Sequence, residues 1–200
     1  HAGIEKPDAI ITGTGLGCVE DTEKFLDAMI RNEEKFLQPA FFIQSTHNTI
    51  SSQIAINLGC NGYNNTYIHR GVSFENALMD ASLLFNEKQI KSALVTGNDE
   101  MTPNYFILFK RINYWKEAVA ETLRIVQDGK GKGSFAGEGS ISVVLSDEKQ
   151  TGTMAQMQGI DLFYKPQQPV SERIKEFLAQ FNLLPSDIDV FMTGMNGDQN

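Results

Sequence analysis

The chain has only two cysteines, Cys18 and Cys60, in 200 residues, too few for a disulfide framework or a cysteine-based zinc site. Long apolar runs are missing as well. No stretch approaches the ~18 residues needed to span a bilayer and no signal-peptide core opens the sequence, so the expected location is the cytoplasm. Basic residues are the minority, 17 Lys and Arg against 25 Asp and Glu, and the resulting net charge of −8 argues against a nucleic-acid or anionic-membrane surface. What is present is an ordinary globular composition, 41% hydrophobic and 21% charged. A chain of this length buries roughly 70% of its unfolded surface, enough for one sizeable domain or two small halves.

The stretch that organises the rest runs from Gly62 to Phe85, GYNNTYIHRGVSFENALMDASLLF. A β-rich run, Asn65 to His69, gives way at Arg70-Gly71 to a helix whose apolar residues Phe74, Ala77, Leu78, Ala81, Leu84 and Phe85 recur at helical spacing. A tight strand-to-helix turn exposes one side chain, and the helix N-terminus beneath it stabilises a developing anion, so the turn suits a nucleophile. Here the turn residue is Gly71, which has no side chain to react.

The run QIAINLGCNGYNNTYIHRGVSFENALMDA, Gln53 to Ala81, resembles a segment of the β-ketoacyl synthases, condensing enzymes of the thiolase superfamily. That segment reads roughly QIA-x-x-x-G-x-x-G-P-N-x-T-x-x-x-A-C-x-x-G-x-x-A-x-x-x-A. Gln53, Ile54, Ala55, Gly59, Gly62, Asn64, Thr66, Ala77 and Ala81 fall in step without a gap, and the position of the family's active-site cysteine lands on Gly71. A second match is FAGEGSISVVLSDE, from Phe135, which resembles the family's F-x-x-G-E-G-A-x-x-x-V-L-E. Gly137 and Gly139 are expected to permit tight backbone around Glu138.

Around these motifs the chain alternates strands and helices. A buried-strand run, Ala9 to Thr12, ends in the glycine turn Gly13 to Gly17, a poor version of a dinucleotide fingerprint that resembles instead the family's V-x-x-G-S-G-x-G. A helix from Asp21 to Arg31 turns Phe25, Ala28 and Met29 inward, and a loop from Asn32 to Phe42 carries Pro39 and the aromatics Phe36, Phe41 and Phe42. His47 stands in a string rich in capping groups, where bonding to local backbone is its plain reading, before a helix from Thr49 to Leu58 that Gly59 stops. The strand Ser92 to Val95 completes a strand-helix-strand unit with Gly62 to Phe85 and runs into Thr96-Gly97-Asn98-Asp99-Glu100, where Glu100 matches an acidic residue of the family. From Met101 to Asp128, aromatics at NYFILFKRINYW suggest a helical cap forming pocket walls or a dimer surface, followed by a flexible basic loop, Lys130 to Gly133. Beyond it lie an expected strand, Thr153 to Leu162, a helix, Val170 to Phe181, with Ser171 as N-cap, and a strand, Asp189 to Thr193.

The family places a catalytic histidine after this last strand, in a motif like D-x-D-x-x-x-x-H-G-T-x-T; aligned from Asp187, Ile188 and Asp189, that position falls on Gly194. Asn196 or Asp198 nearby could bond a ligand but neither replaces an imidazole. A Ser73–His69 pair oriented by Glu75 is the other conceivable nucleophile, against the simpler reading of Ser73 as the N-cap of its helix and His69 as a strand-end residue. Cys18 and Cys60 do not stand where the family needs a thiolate.

The resemblance implies an α/β, thiolase-like fold, layered αβα with a mixed β-sheet, as a partial chain of a duplicated fold. Residues 9–146 would form most of an N-terminal half and residues 151–200 the start of a C-terminal half, either as a fragment of a longer protein or as an unusually short relative. It implies a β-ketoacyl-synthase-like protein of fatty-acid or polyketide/polyene biosynthesis that lacks its nucleophile and first histidine, a pseudoenzyme acting as a partner subunit like the chain-length factors of aromatic polyketide or polyene systems. The alternatives are an active acyltransferase, a 3-oxoacyl-acyl-carrier-protein synthase with a relocated or partner-supplied nucleophile, and an acyl-chain binding protein. His69, Ser73, Phe135 and Asn196 would line the pocket; no cofactor or metal is expected. The partner would be a second copy or an active ketosynthase, joined along Gly62 to His69 because the family dimerises there, with acyl carrier protein as a further contact.

Overall fold

A computed structural model of the chain describes residues 3–116, 132–194 and 198; Asn196, Lys130 and Gly131 lie outside the described residues. Strand β1 (Ala9–Gly13) is the middle of the molecule and is buried along its whole length. Its sequence, AIITG, carries no charge and can be covered on both faces, as parallel strands are. Strands β2 (Tyr63–Tyr67) and β3 (Ser92–Asp99) flank it in parallel, and β4 (Gly139–Ser146) adds antiparallel to β3, giving the mixed order β2-β1-β3-β4.

Helices cover both faces of this sheet. Tyr63 Oη donates to Asp80 Oδ2 of α4 (Ser73–Asn86) at 3.0 Å, whereas the next residue, Asn64, accepts at Oδ1 from Ser51 Oγ of α3 (Thr49–Leu58) at 2.6 Å. Successive strand side chains point to opposite faces, so α4 and α3 lie on opposite sides. On the α4 side the core joins Ala9 and Ile11 of β1, Ala93 and Val95 of β3, and Ala77, Ala81 and Leu84 of α4. Each fully buried Ile or Val here contributes about 1.5–3 kcal/mol over its exposed state. On the α3 side the sheet is more polar: buried Thr96 donates to Thr12 at 3.1 Å and receives Asn98 Nδ2 at 2.8 Å.

Three further helices complete the described elements of this part: α1 (Val19–Arg31), α2 (Pro39–Gln44) and α5 (Pro103–Arg111). The expected loop before Phe42 is therefore partly helical. Pro39 opens α2 rather than interrupting a loop, because its missing N–H costs nothing in a first turn. Thr102 caps α5 by accepting the Tyr105 N–H at 3.2 Å.

The region after β4 departs furthest from expectation. Residues 153–162 and 189–193 form no strand: among the described residues no neighbouring strand offers them a ladder, and most of them stand in solvent. Helix α6 (Val170–Ala179) does form, but Pro169 with φ −55° is its cap and Ser171 lies inside its first turn. Its Arg173 pairs with Asp161 at 2.6 Å and lies over the Phe163 ring, while Phe181 packs on Gly159. Tight backbone around Glu138 is also absent, since nothing stands within 4 Å of a Cβ built on Gly137 or Gly139.

Candidate functional site

The chain leaves β2 at Tyr67, makes one 3-10 turn at Arg70–Val72 and enters α4 at Ser73. Arg70 takes the sharp reversal, with φ +53°, a left-handed conformation that costs a non-glycine residue of order 1 kcal/mol. Gly71 follows it in solvent. Its backbone is not left-handed and nothing lies within 4 Å of a Cβ built on it, so neither conformation nor space demands glycine there.

What pins this turn is Gly13 at the end of β1. A Cβ on Gly13 would meet the Ser73 carbonyl carbon and the Phe74 nitrogen, each at 2.5 Å, so the first turn of α4 rests directly on the strand backbone. Ser73 is buried inside the turn: its hydroxyl accepts the His69 backbone N–H at 2.8 Å and donates to the Arg70 carbonyl at 2.7 Å. The N-cap position belongs to Val72 and no side chain caps α4, so the expectation that Ser73 is the N-cap is not met. Its hydroxyl turns back to tie the turn rather than forward to the helix. The His69 imidazole is exposed, with its ring centre 6.2 Å from that of Tyr67.

Gly194 lies in an exposed irregular segment with nothing within 4 Å of its Cβ position. Phe135 is half-buried between Ser134 and β4 and does not border the main cleft. Asp198 reaches back to accept the Gly133 N–H at 2.9 Å. Neither cysteine is poised to react. Cys60 donates to the Pro7 carbonyl at 3.0 Å; the Cys18 thiol is buried, and burial first, then the nearby Glu100 and Asp21 carboxylates, push its pKa up.

The main cleft lies on the α3 side of the sheet, with a volume of about 740 Å³. One wall is Ile50, Gln53, Ile54 and Asn57 of α3, the floor is Asn98 to Glu100 with Glu138 to Ser140, and the other wall is Gly17, Cys18, Asp21 and Gln44. Sequence reasoning did not find it, because its residues come from four distant stretches. The strand-end acids are structural ties rather than free groups: Asp99 Oδ1 accepts the Gly15 N–H at 2.7 Å and Thr14 Oγ1 at 3.1 Å, and Glu138 accepts the Met101 N–H at 3.2 Å. His47 lies over Gly17, whose φ of +78° and missing Cβ make room for the ring, so it packs on backbone rather than hydrogen-bonding it. Among the described residues no cluster of His, Cys, Asp and Glu could hold a metal ion, and no helix is long and apolar enough to cross a membrane.

No family model matches the chain, and no curated protein matches it. Solved structures do. The ishigamide ketosynthase/chain length factor is 18% identical, with a TM-score of 0.57 over 72% of this chain and 37% of that one. A ketosynthase in complex with its chain length factor from Xenorhabdus doucetiae is 14% identical, with a TM-score of 0.51 over 71% of this chain and 50% of that one. A β-ketoacyl synthase from Burkholderia phymatum is 15% identical, with a TM-score of 0.59 over 71% of this chain and 36% of that one. The chain thus has the α/β, thiolase-like fold of ketosynthase and chain-length-factor structures and spans half of their length or less.

Proposed function

We propose that this chain is a β-ketoacyl-synthase-like protein without its nucleophile, serving as the non-catalytic subunit beside an active ketosynthase in fatty-acid or polyketide synthesis. The observation that carries the reading is Gly71. It occupies the exposed tip of the strand-to-helix turn, at the N-terminus of a 14-residue helix, with open space where a side chain would stand. The neighbouring Ser73 hydroxyl is engaged on both sides by backbone, and burial pushes the pKa of the Cys18 thiol up. These features disfavour a relocated nucleophile. In the same proposal, residues 9–146 are an N-terminal half, residues 151–200 open a C-terminal one, and the complex works on acyl-carrier-protein thioesters in the cytoplasm.

The outer edge of β2 supports a partner. The Tyr63 N–H turns inward to the Asp8 carbonyl at 3.1 Å, so by alternation the N–H groups of Asn64 and Thr66 face away from β1. No strand among the described residues covers that edge, and YNNTY carries no charge to repel one. The test is co-expression with an active β-ketoacyl synthase, read by light scattering on a sizing column. A two-chain complex is expected, lost in Thr66→Pro, which removes the outward N–H that otherwise meets Asn65 Oδ1 at 2.9 Å, and kept in Thr66→Val, which removes only the hydroxyl bond to Asn48 Oδ1 that both variants lose. A chain that stays single beside the synthase, or a complex indifferent to Thr66→Pro, contradicts the proposed edge pairing.

A further inference from the structure

Helices α1 and α2 contain no buried residue, whereas α4 buries Ser73, Ala77, Ala81 and Leu84, and α3 buries Ser51. They pack mainly on each other, with the Phe25 and Phe42 rings 5.5 Å apart, and turn Leu26 and Ile30 outward. What ties α1 to the rest is a pair of carboxylate contacts running in opposite directions. Glu100, at the end of β3, accepts the Glu20 N–H at 2.8 Å and so caps α1; Glu23, on α1, accepts from Thr102 Oγ1 and from Asn104 Nδ2, the latter at 3.1 Å, at the start of α5. The unit enters through the glycine turn at Gly15 to Gly17 and leaves at Thr46, whose hydroxyl holds the Ile43 carbonyl at 2.9 Å. Between those ends it forms one wall of the 740 Å³ cleft, and Cys18 is buried beneath it.

We propose that α1 and α2 form a flap over this cleft, latched shut by Glu23 and Glu100 against the turn between β3 and α5. Opening the flap breaks hydrogen bonds to two carboxylates but uncovers no buried apolar side chain of its own. That places it among the locally opening parts of a fold, with the sheet and α4 remaining closed.

Cys18 reports the motion. The test uses the full chain, iodoacetamide, and peptide mass mapping to follow Cys18 with Cys60 as the internal control. The variants are Glu23→Gln, and Asn104→Ala, which keeps every carboxylate and leaves the Thr102 cap of α5 in place; Glu100 is left intact because its charge also acts on the Cys18 thiol. Both variants are expected to raise the Cys18 alkylation rate by about tenfold, the scale of one lost charge-assisted hydrogen bond. The Cys60 rate and the thermal midpoint stay as they were, and hydrogen exchange quickens in α1 but not in β1 or α4. An unchanged Cys18 rate in both variants overturns the latch. So does a rise shared by Cys60 and accompanied by a lower midpoint, which would mean general loosening.

Discussion

The backbone N–H of His69 donates to the Ser73 hydroxyl at 2.8 Å, and the hydroxyl donates onward to the Arg70 carbonyl at 2.7 Å. A serine held this way ties a turn together; it is not aligned with an imidazole that could take its proton. Ser73→Ala should therefore cost about 1–2 kcal/mol of stability, since it leaves the His69 N–H without its acceptor. Urea unfolding measures this. A variant as stable as the parent would remove the structural role assigned to Ser73.

Gly71 is open enough to accept the side chain that the family carries. Gly71→Cys should fold with a stability within about 1 kcal/mol of the parent, because it meets no atom within 4 Å and needs no left-handed backbone. Standing at a helix N-terminus, its thiol should titrate below the ordinary value of about 8.5 and react faster than Cys18. The pH profile of alkylation at position 71 checks this, and a profile at or above the ordinary value would count against the turn geometry.

Gly13 tolerates no such change. A methyl group there drives into the backbone of Ser73 and Phe74 at 2.5 Å, and backbone cannot swing aside as a side chain would. Gly13→Ala is expected to destabilise by about 1–3 kcal/mol or more, the range for overpacking. Denaturant unfolding that shifts by less than a few tenths would show that α4 does not rest on β1 as described.

Asp8 ties the start of β1 to the start of β3: its Oδ2 accepts the Lys91 N–H at 2.9 Å, the Ser92 N–H at 3.0 Å and Ser92 Oγ at 3.2 Å. The Lys91 N–H is the largest cause holding its pKa below 3.8, partly opposed by burial and aided by both Ser92 bonds and the Lys91 charge. A carboxylate depressed in the fold contributes stability that is complete above its unfolded pKa and disappears as pH falls through the folded one. Asp8→Asn should flatten the stability curve below about pH 4, modestly because Asp8 faces solvent, and leave its shape at higher pH unchanged. Thermal midpoints across that range decide it; an equally steep acid loss in the variant would assign the dependence to other groups.

The turn from β2 to α4 was legible in the sequence because its signals are local: a β-rich run, a glycine and a helical spacing from Phe74 to Phe85. The tie between Asp99 and Gly15 was not, since it exists only through the parallel register that sets Thr12 beside Thr96. Strands expected at residues 153–162 and 189–193 failed for a related reason. Extended propensity is local, whereas a strand needs a neighbour, and none in the described residues pairs with them. The assignment of Ser171 as a cap missed that Pro169 already sets the entry to α6. The motif matches at Gln53 to Ala81 and from Phe135 gave the fold that the solved structures share, while the cleft under α1, assembled from Cys18, α3, β3 and β4, left no local trace.

The central claim is that this chain offers no nucleophile to an acyl group. It is tested most directly by intact-protein mass spectrometry after incubation with acyl-carrier-protein thioesters, with and without a co-expressed active synthase. The account predicts an acyl adduct on the synthase and none on this chain in either case. A stable adduct here, mapped to Ser73, Cys18, Cys60 or any other residue, would contradict it.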